Sequence, residues 1–210
     1  MKTPYLIAEM GVNFYDTAKT MEISPLEAAL LYIDKAAEVG VDCAKFQSYK
    51  ENTIVSKNSP AYWDTTKEPT KTQYELFRKH DGFGENEYQK LCDYTHSKGM
   101  DFVSTPFDYA SADYLYDMVD FYKISSSDLS NLPFIRYIGR KAKPVYLSGS
   151  MPHTSSMWGW TMPQPRISIQ PVPLQNRQPF PPHLKQLTSI SALGSVNGKW
   201  CGRNRVTVPL

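Results

Sequence analysis

Five short apolar runs, spaced by stretches of helical pattern, constrain this chain more than anything else in it. Four of them are Cys43-Ala44-Lys45-Phe46-Gln47, Phe102-Val103-Ser104-Thr105-Pro106, Phe121-Tyr122-Lys123-Ile124-Ser125-Ser126 and Pro144-Val145-Tyr146-Leu147-Ser148. Each ends in residues able to hold a phosphate or a carboxylate. The fifth, Tyr5-Leu6-Ile7-Ala8-Glu9, ends in a carboxylate. Strands alternating with helices, with chemistry at each C-terminal strand end, predict an α/β fold of the (β/α)8 barrel type, of which the first five βα units are present.

The intervening stretches carry helix punctuation. Ser24-Pro25 places a capping hydroxyl and a first-turn proline before Leu26, Ala29, Leu30, Ile33, Ala36 and Ala37, and Gly40 closes that stripe. Helices are expected at 85–98, 109–118 and 130–141, and a short one at 72–79. The polar segment 49–82 is long for a barrel connection, and long ordered connections are often functional.

The texture changes near Ser148-Gly149-Ser150. All 21 acidic residues lie in 1–150, against 17 basic ones; 151–210 has six basic residues and no acidic one. Nine of the 16 prolines and three of the four tryptophans also fall after residue 150, with no period of 2 or 3.6. We therefore divide the chain into a barrel segment, 1–150, and a Pro-rich basic tail, 151–210, expected to be irregular and poorly ordered. A basic tail can bind nucleic acid, but a shifted reading frame explains the missing carboxylates, prolines and tryptophans together. Back-translation of 180–190 from the third base of each codon permits Pro-Thr-Pro-Pro-Glu, followed by Thr or Ala and then Ala-Asn-Leu-Asn.

Three scattered cysteines without a CxxC pair fit a reducing compartment. No apolar stretch approaches the ~20 residues of a membrane span, and no signal-peptide pattern follows Met1. A cytoplasmic protein is expected, without membrane contact.

Two lysines flanked by apolar residues, Lys45 and Lys123, set the candidate chemistry. One such lysine reads as a salt-bridged residue, with Glu9 as a partner. Two at the ends of neighbouring strands read as an anion site. Thr105, Ser125, Ser126 and Ser148 can donate to phosphate or carboxylate oxygens, although such hydroxyls also cap helices, for which Asp128 and Ser130 are alternatives. Glu9 and Asp108 are the carboxylates placed for acid–base work or for partnering a lysine. A lysine at a strand end can also form a Schiff base, which keeps a barrel aldolase open. A non-enzymatic phospho-ligand module with a nucleic-acid-binding tail is the other alternative. His80 and His96 have no metal-ligand spacing.

Ile7-Ala8-Glu9-Met10-Gly11-Val12-Asn13, Ala44-Lys45-Phe46-Gln47, Ser104-Thr105-Pro106-Phe107-Asp108, Lys123-Ile124-Ser125-Ser126-Ser127-Asp128, Asn131-Leu132-Pro133 and Lys143-Pro144-Val145-Tyr146-Leu147-Ser148 together resemble the N-acetylneuraminate (sialic acid) synthase family over residues 5–148. The resemblance implies a (β/α)8 enzyme that condenses phosphoenolpyruvate with an N-acetylated hexosamine, such as N-acetylmannosamine or a legionaminic or pseudaminic acid precursor, to a nonulosonic acid plus phosphate. It implies Lys45, Thr105, Lys123, Ser126 and Ser148 as phosphoenolpyruvate contacts and Glu9 as the acid near the sugar. Glu9, Lys45 and Lys123 are then the catalytic candidates. Asn13, Gln47, Thr105, Asp108, Ser125, Ser126 and Ser148 are the substrate-binding ones. The resemblance further implies a divalent metal, Mn or Mg, and a homodimer for the full-length enzyme. This chain departs from the family pattern in having Phe14-Tyr15-Asp16 for His-Asn-Gly and Ser148-Gly149-Ser150-Met151 for Ser-Thr-Gly. It also lacks the histidine motifs that hold the metal, so an inactive fragment is expected and no metal ligands are assigned.

Overall fold

The computed structural model describes residues 5–148, together with the backbone of strands 189–196 and 199–206. The first strand, β1 (Tyr5–Gly11), pairs in parallel with β2 (Cys43–Ser48), and β2 in parallel with β3 (Asp101–Pro106). Both faces of these strands are covered, which is why they read as nearly continuous apolar runs rather than alternating ones. Two further strands, β4 (Tyr122–Ile124) and β5 (Val145–Leu147), form a separate parallel pair, and β3 packs beside β4. Strands β1, β2 and β3 lie in sequence order, as consecutive βα units require.

The helices begin and end where local chemistry dictates. In α2 (Pro25–Glu38), Ser24 accepts from the Glu27 amide while the Glu27 carboxylate accepts from the Ser24 amide, a complete capping box, with proline in the first turn. Gly40, at φ +70°, turns the chain out of that helix toward β2. Thr72 and Glu75 form the same box on α4 (Gln73–Lys79). Helix α5 (Glu85–Ser97) packs on β3 and α2, α6 (Tyr109–Tyr114) follows β3, and α7 (Leu132–Arg140) follows β4.

Two helices lie outside the sequence expectations: α1 (Phe14–Met21) and the single turn α3 (Glu51–Ile54). The side chain of Asn13 does not cap α1, and the helix stops at Glu22, a non-glycine residue at φ 56°. Neither end therefore carries the usual signal. Packing holds α1 in place instead. Phe14 is fully buried, with its ring centroid 4.9 Å from that of Phe83 and 6.0 Å from that of Phe46.

Part of the stretch expected to be an irregular tail falls among the described residues. Strands β6 (Ser189–Val196) and β7 (Lys199–Val206) form an antiparallel hairpin, and β6 pairs antiparallel with β1 from Tyr5↔Leu193 to Glu9↔Ser189. The five-stranded sheet runs β3-β2-β1-β6-β7, so the β1 edge is covered rather than open. The remainder of 151–210 lies outside the described residues. The five parallel strands expected to form one sheet are split three and two, and closure into a barrel is not seen among the described residues.

Because α1 depends on tertiary packing, Phe14→Ala should lower stability by about 3–5 kcal/mol, the range for emptying a buried phenylalanine site. Urea unfolding of the two proteins measures this directly. A loss under about 1 kcal/mol would mean that Phe14 is not the anchor of α1.

Candidate active site

The site grows from the register of three strands. In β1 the pairing with β2 slips between Glu9 and Gly11, so Glu9 sits opposite Lys45 and Gly11 opposite Phe46. Gly11 takes φ +57°, and a Cβ there would lie 3.5 Å from the Gln47 amide nitrogen and 3.8 Å from that of Asn13. This left-handed bulge thus brings Asn13 and Gln47 against the same point of backbone. Side chains two apart share a face, so Lys45 and Gln47 look the same way, and Gln47 is the register partner of Thr105 on β3.

Lys45 is 4% exposed, and its ammonium donates to the Glu9 carboxylate in an ion pair. Glu9 is the more solvated partner, its side chain 22% exposed. Thr105 is 1% exposed, and its hydroxyl is buried with no hydrogen-bond partner among the described residues. Buried polar groups are nearly always satisfied, so an unsatisfied one needs a reason. Its neighbours on the other face, Ser48 and Ser104, bond to each other at 2.6 Å and are structural.

A second group forms around β4 and β5. Lys123 is in register with Tyr146, and the Ser148 amide donates to the Ile124 carbonyl at 3.1 Å, which sets Ser148 beside Ser125. Ser126 opens a 3-10 turn, Ser126–Asp128, that follows β4 directly. Ser125 caps this turn, accepting from the Ser127 amide at 3.4 Å and the Ser127 hydroxyl at 2.9 Å. The alternative caps for α7 are corrected: Asn131 does that work, accepting from the Phe134 amide. Sequence reasoning missed Asp128 as a member of this group; it lies close enough to Lys123 to feel its charge. Burial holds the Asp128 carboxyl above its ordinary range; hydrogen bonds from Asn131 and Ser127 and the Lys123 charge pull the other way.

Asp108 is placed two residues past β3 and is 6% exposed. Its Oδ1 accepts from the Ser111 amide at 2.7 Å, and its Oδ2 from the Lys50 amide at 3.1 Å and the Thr53 hydroxyl at 2.9 Å. The structure therefore gathers the candidate residues into two groups on neighbouring strands: Glu9, Asn13, Lys45, Gln47 and Thr105 on β1–β3, and Lys123, Ser125, Ser126 and Ser148 on β4–β5. Asp108 stands apart, engaged with the connection after β2.

The family model for NeuB matches residues 32–158, more than half of the chain and most of both groups. The chain belongs to the NeuB family. The chain is 31% identical over 152 residues to the N,N'-diacetyllegionaminic acid synthase of Legionella pneumophila, covering 71% of this chain and 40% of that protein. It is 27% identical over 154 residues to human N-acetylneuraminate-9-phosphate synthase, covering 73% and 41%. The crystal structure of N-acetylneuraminic acid synthetase from Leptospira borgpetersenii serovar Hardjo-bovis, in complex with citrate, superimposes with a TM-score of 0.59 at 26% identity, over 73% of this chain and 47% of that one. The chain spans about two fifths of the length of the curated relatives it matches.

The family resemblance implies a divalent metal, but among the described residues no group of three His, Cys, Asp or Glu side chains is placed to hold one. His80 lies against Asp16 at 3.6 Å and His96 beside Cys92 at 3.7 Å. The described donor set does not fit a metal. No described helix is long and apolar enough to cross a membrane.

The unequal burial of the central pair gives it an unequal response to mutation. Glu9→Gln strands a buried ammonium and should lower stability by about 3 kcal/mol; Lys45→Met leaves a carboxylate that water can reach and should be milder. Denaturant unfolding of both variants checks the order. If Lys45→Met is the more damaging, Glu9 is not what holds the lysine.

Proposed function

We propose that this NeuB-family chain carries the phosphoenolpyruvate-binding part of a synthase that condenses phosphoenolpyruvate with an N-acetylated hexosamine. The product would be a nonulosonic acid, released with inorganic phosphate. The observation that carries this reading is the Thr105 hydroxyl, buried with no partner among the described residues, beside Gln47 and one step along the strand face from Lys45. Its family-level support is the likeness to enzymes named as legionaminic and N-acetylneuraminate-9-phosphate synthases.

In this proposal the chain's own residues do the following. Lys45 and Lys123 supply the positive charge that an anion carrying both phosphate and carboxylate needs, and Thr105, Ser126 and Ser148 donate hydrogen bonds to its oxygens. Held at several points, the enol presents its C3 to the acceptor aldehyde in a fixed orientation. Glu9 holds Lys45 in place and faces the acceptor. Ser125 is already used as a cap, so its part is to fix the turn that carries Ser126. Asn13 and Gln47 provide neutral amides beside the bulge, suited to the hydroxyl and acetamido groups of a sugar. No step is assigned to a divalent metal, because the described donors do not fit one.

The Schiff-base alternative is disfavoured by one observation. A buried ammonium held by a carboxylate is not a nucleophile, so borohydride treatment with pyruvate should leave no adduct on Lys45. For the stretch 151–210 we propose translation in a shifted frame, supported by the absence of any acidic residue there. The family match ends inside it, at residue 158. The 210-residue chain is then expected to lack synthase turnover, and resequencing the codons for 145–210 tests the frame directly.

Calorimetric titration of the full 210-residue chain with phosphoenolpyruvate tests the binding assignment. Lys123→Ala should weaken binding by about 1.5–3 kcal/mol, the range for hydrogen bonds to charged groups. Equal affinity in the two proteins would remove Lys123 from the site. No binding by either would remove the reading itself.

A further inference from the structure

We propose that Asp108 is a positioning residue: it clamps the stem of the connection between β2 and α5, so that segment 51–82 acts as one body covering the ends of β2 and β3. The cover half of this inference rests on the functional reading above; the clamp half does not. Three observations carry it.

The first is the distribution of burial. Between residues 51 and 82 no side chain is fully buried, whereas Tyr49 before it and Phe83 after it belong to the buried interior. A segment with that profile adds little to the core and opens independently of it.

The second is that the segment is nonetheless organised internally. The Ala61 amide donates to the Lys71 carbonyl at 3.0 Å and the Gln73 amide to the Ser59 carbonyl at 2.9 Å, which closes its middle on itself. The Trp63 indole donates to the Glu68 carbonyl at 3.2 Å, and the Tyr74 hydroxyl to the Glu51 carboxylate at 3.0 Å, tying α4 back to α3. A loop packed against its own residues with its ends held together moves as a body rather than as a string.

The third is the asymmetry of its two attachments. At the outgoing stem, both Asp108 oxygens are occupied by the Lys50–Thr53 turn and by the α6 amide of Ser111. At the return stem, the Lys50 ammonium reaches the Asp81 and Phe83 carbonyls at 2.9 Å and the Asp81 carboxylate at 2.8 Å, and the Glu51 amide donates to the Asp81 carboxylate at 3.0 Å. Beside it the hydroxyl of Tyr49 is buried with no hydrogen-bond partner among the described residues. Both Asp108 oxygens have donors, whereas the Asp81 attachment runs through the Lys50 side chain, 48% exposed, beside the unsatisfied Tyr49 hydroxyl, so the first serves as the fixed post and the second as the releasable one. Asp108 follows the strand whose Pro106 pairs with Ser48, which sets the post at the strand ends where Gln47 and Thr105 lie.

Hydrogen exchange measured by mass spectrometry on the full chain separates the two halves. Asp108→Asn keeps an oxygen for the Ser111 amide but loses the acceptor for Lys50. Amides 50–54 should then exchange at least about tenfold faster, with 109–114 unchanged. Thr53→Val, an exposed site, should shift the same amides less. Unchanged exchange at 50–54 in both variants overturns the clamp. In wild type, phosphoenolpyruvate should protect 51–82 together with 43–48 and 101–106. Protection of the strands without 51–82 overturns the cover while leaving the binding site intact. Protection of neither removes the site reading and the cover with it, while the variants still decide the clamp.

Discussion

A lysine ammonium buried between parallel strands has to be answered by a carboxylate on the same face, and most of this site follows from that requirement. A buried charge without a partner destabilises a fold by more than a neighbouring hydrogen bond or apolar side chain can offset. Lys45 therefore needs Glu9 opposite it, and that pairing holds only while β1 and β2 keep their register. The bulge after Glu9 adds the local freedom. By slipping the register there, β1 keeps the pair matched and still turns Gly11 into the left-handed conformation that brings Asn13 toward Gln47. Substituting any side chain at Gly11 would strain both functions of the bulge at once.

The same strand ends organise the long connection. Residues 49–83 are attached to the sheet by the Asp108 carboxylate after β3, which accepts from the Lys50 amide, and are closed on themselves by the Lys50 ammonium, which donates to the Phe83 carbonyl. The aromatic rings of Tyr49, Phe77 and Phe107 add apolar packing at that junction, with the Phe77 and Phe107 centroids 5.7 and 6.1 Å from that of Tyr49. Position over the strand ends is thus set by side chains of the sheet, whereas internal shape is set by the connection's own turns and capping box. These are separate determinants, and a change in one need not alter the other.

Much of this was legible in the sequence because the signals were local. Ser24-Pro25 with Glu27, and Thr72 with Glu75, mark helix starts by chemistry confined to four residues. The apolar runs mark strands because both their faces are covered. The pairing of Lys45 with Glu9 was readable as one of two options. What stayed hidden depended on distant partners. Asp108 reads as an acid–base carboxylate or a lysine's partner from its neighbours alone; its bonds to Lys50 and Thr53 span more than 50 residues of chain. Which hydroxyl lacks a partner is likewise a tertiary property, so nothing local marks Thr105 as the one. Helix α1 was missed because its ends carry no cap or glycine signal and its stability comes from Phe14 lying between Phe83 and Phe46.

The hairpin of β6 and β7 bears on what the chain can become. In a (β/α)8 barrel every strand is parallel to its neighbours, and closure requires the last strand to pair in parallel with the first. Here the free edge of β1 is taken by an antiparallel strand over the five residues from Tyr5 to Glu9. Covering an edge in this way removes a template for edge-to-edge association. It also occupies the hydrogen-bonding groups that a closing parallel strand would need. A β1 edge held by β6 and a closed eight-stranded barrel are therefore mutually exclusive states of the same strand. Any form of this sequence that completes the barrel has to displace the hairpin or be encoded without it.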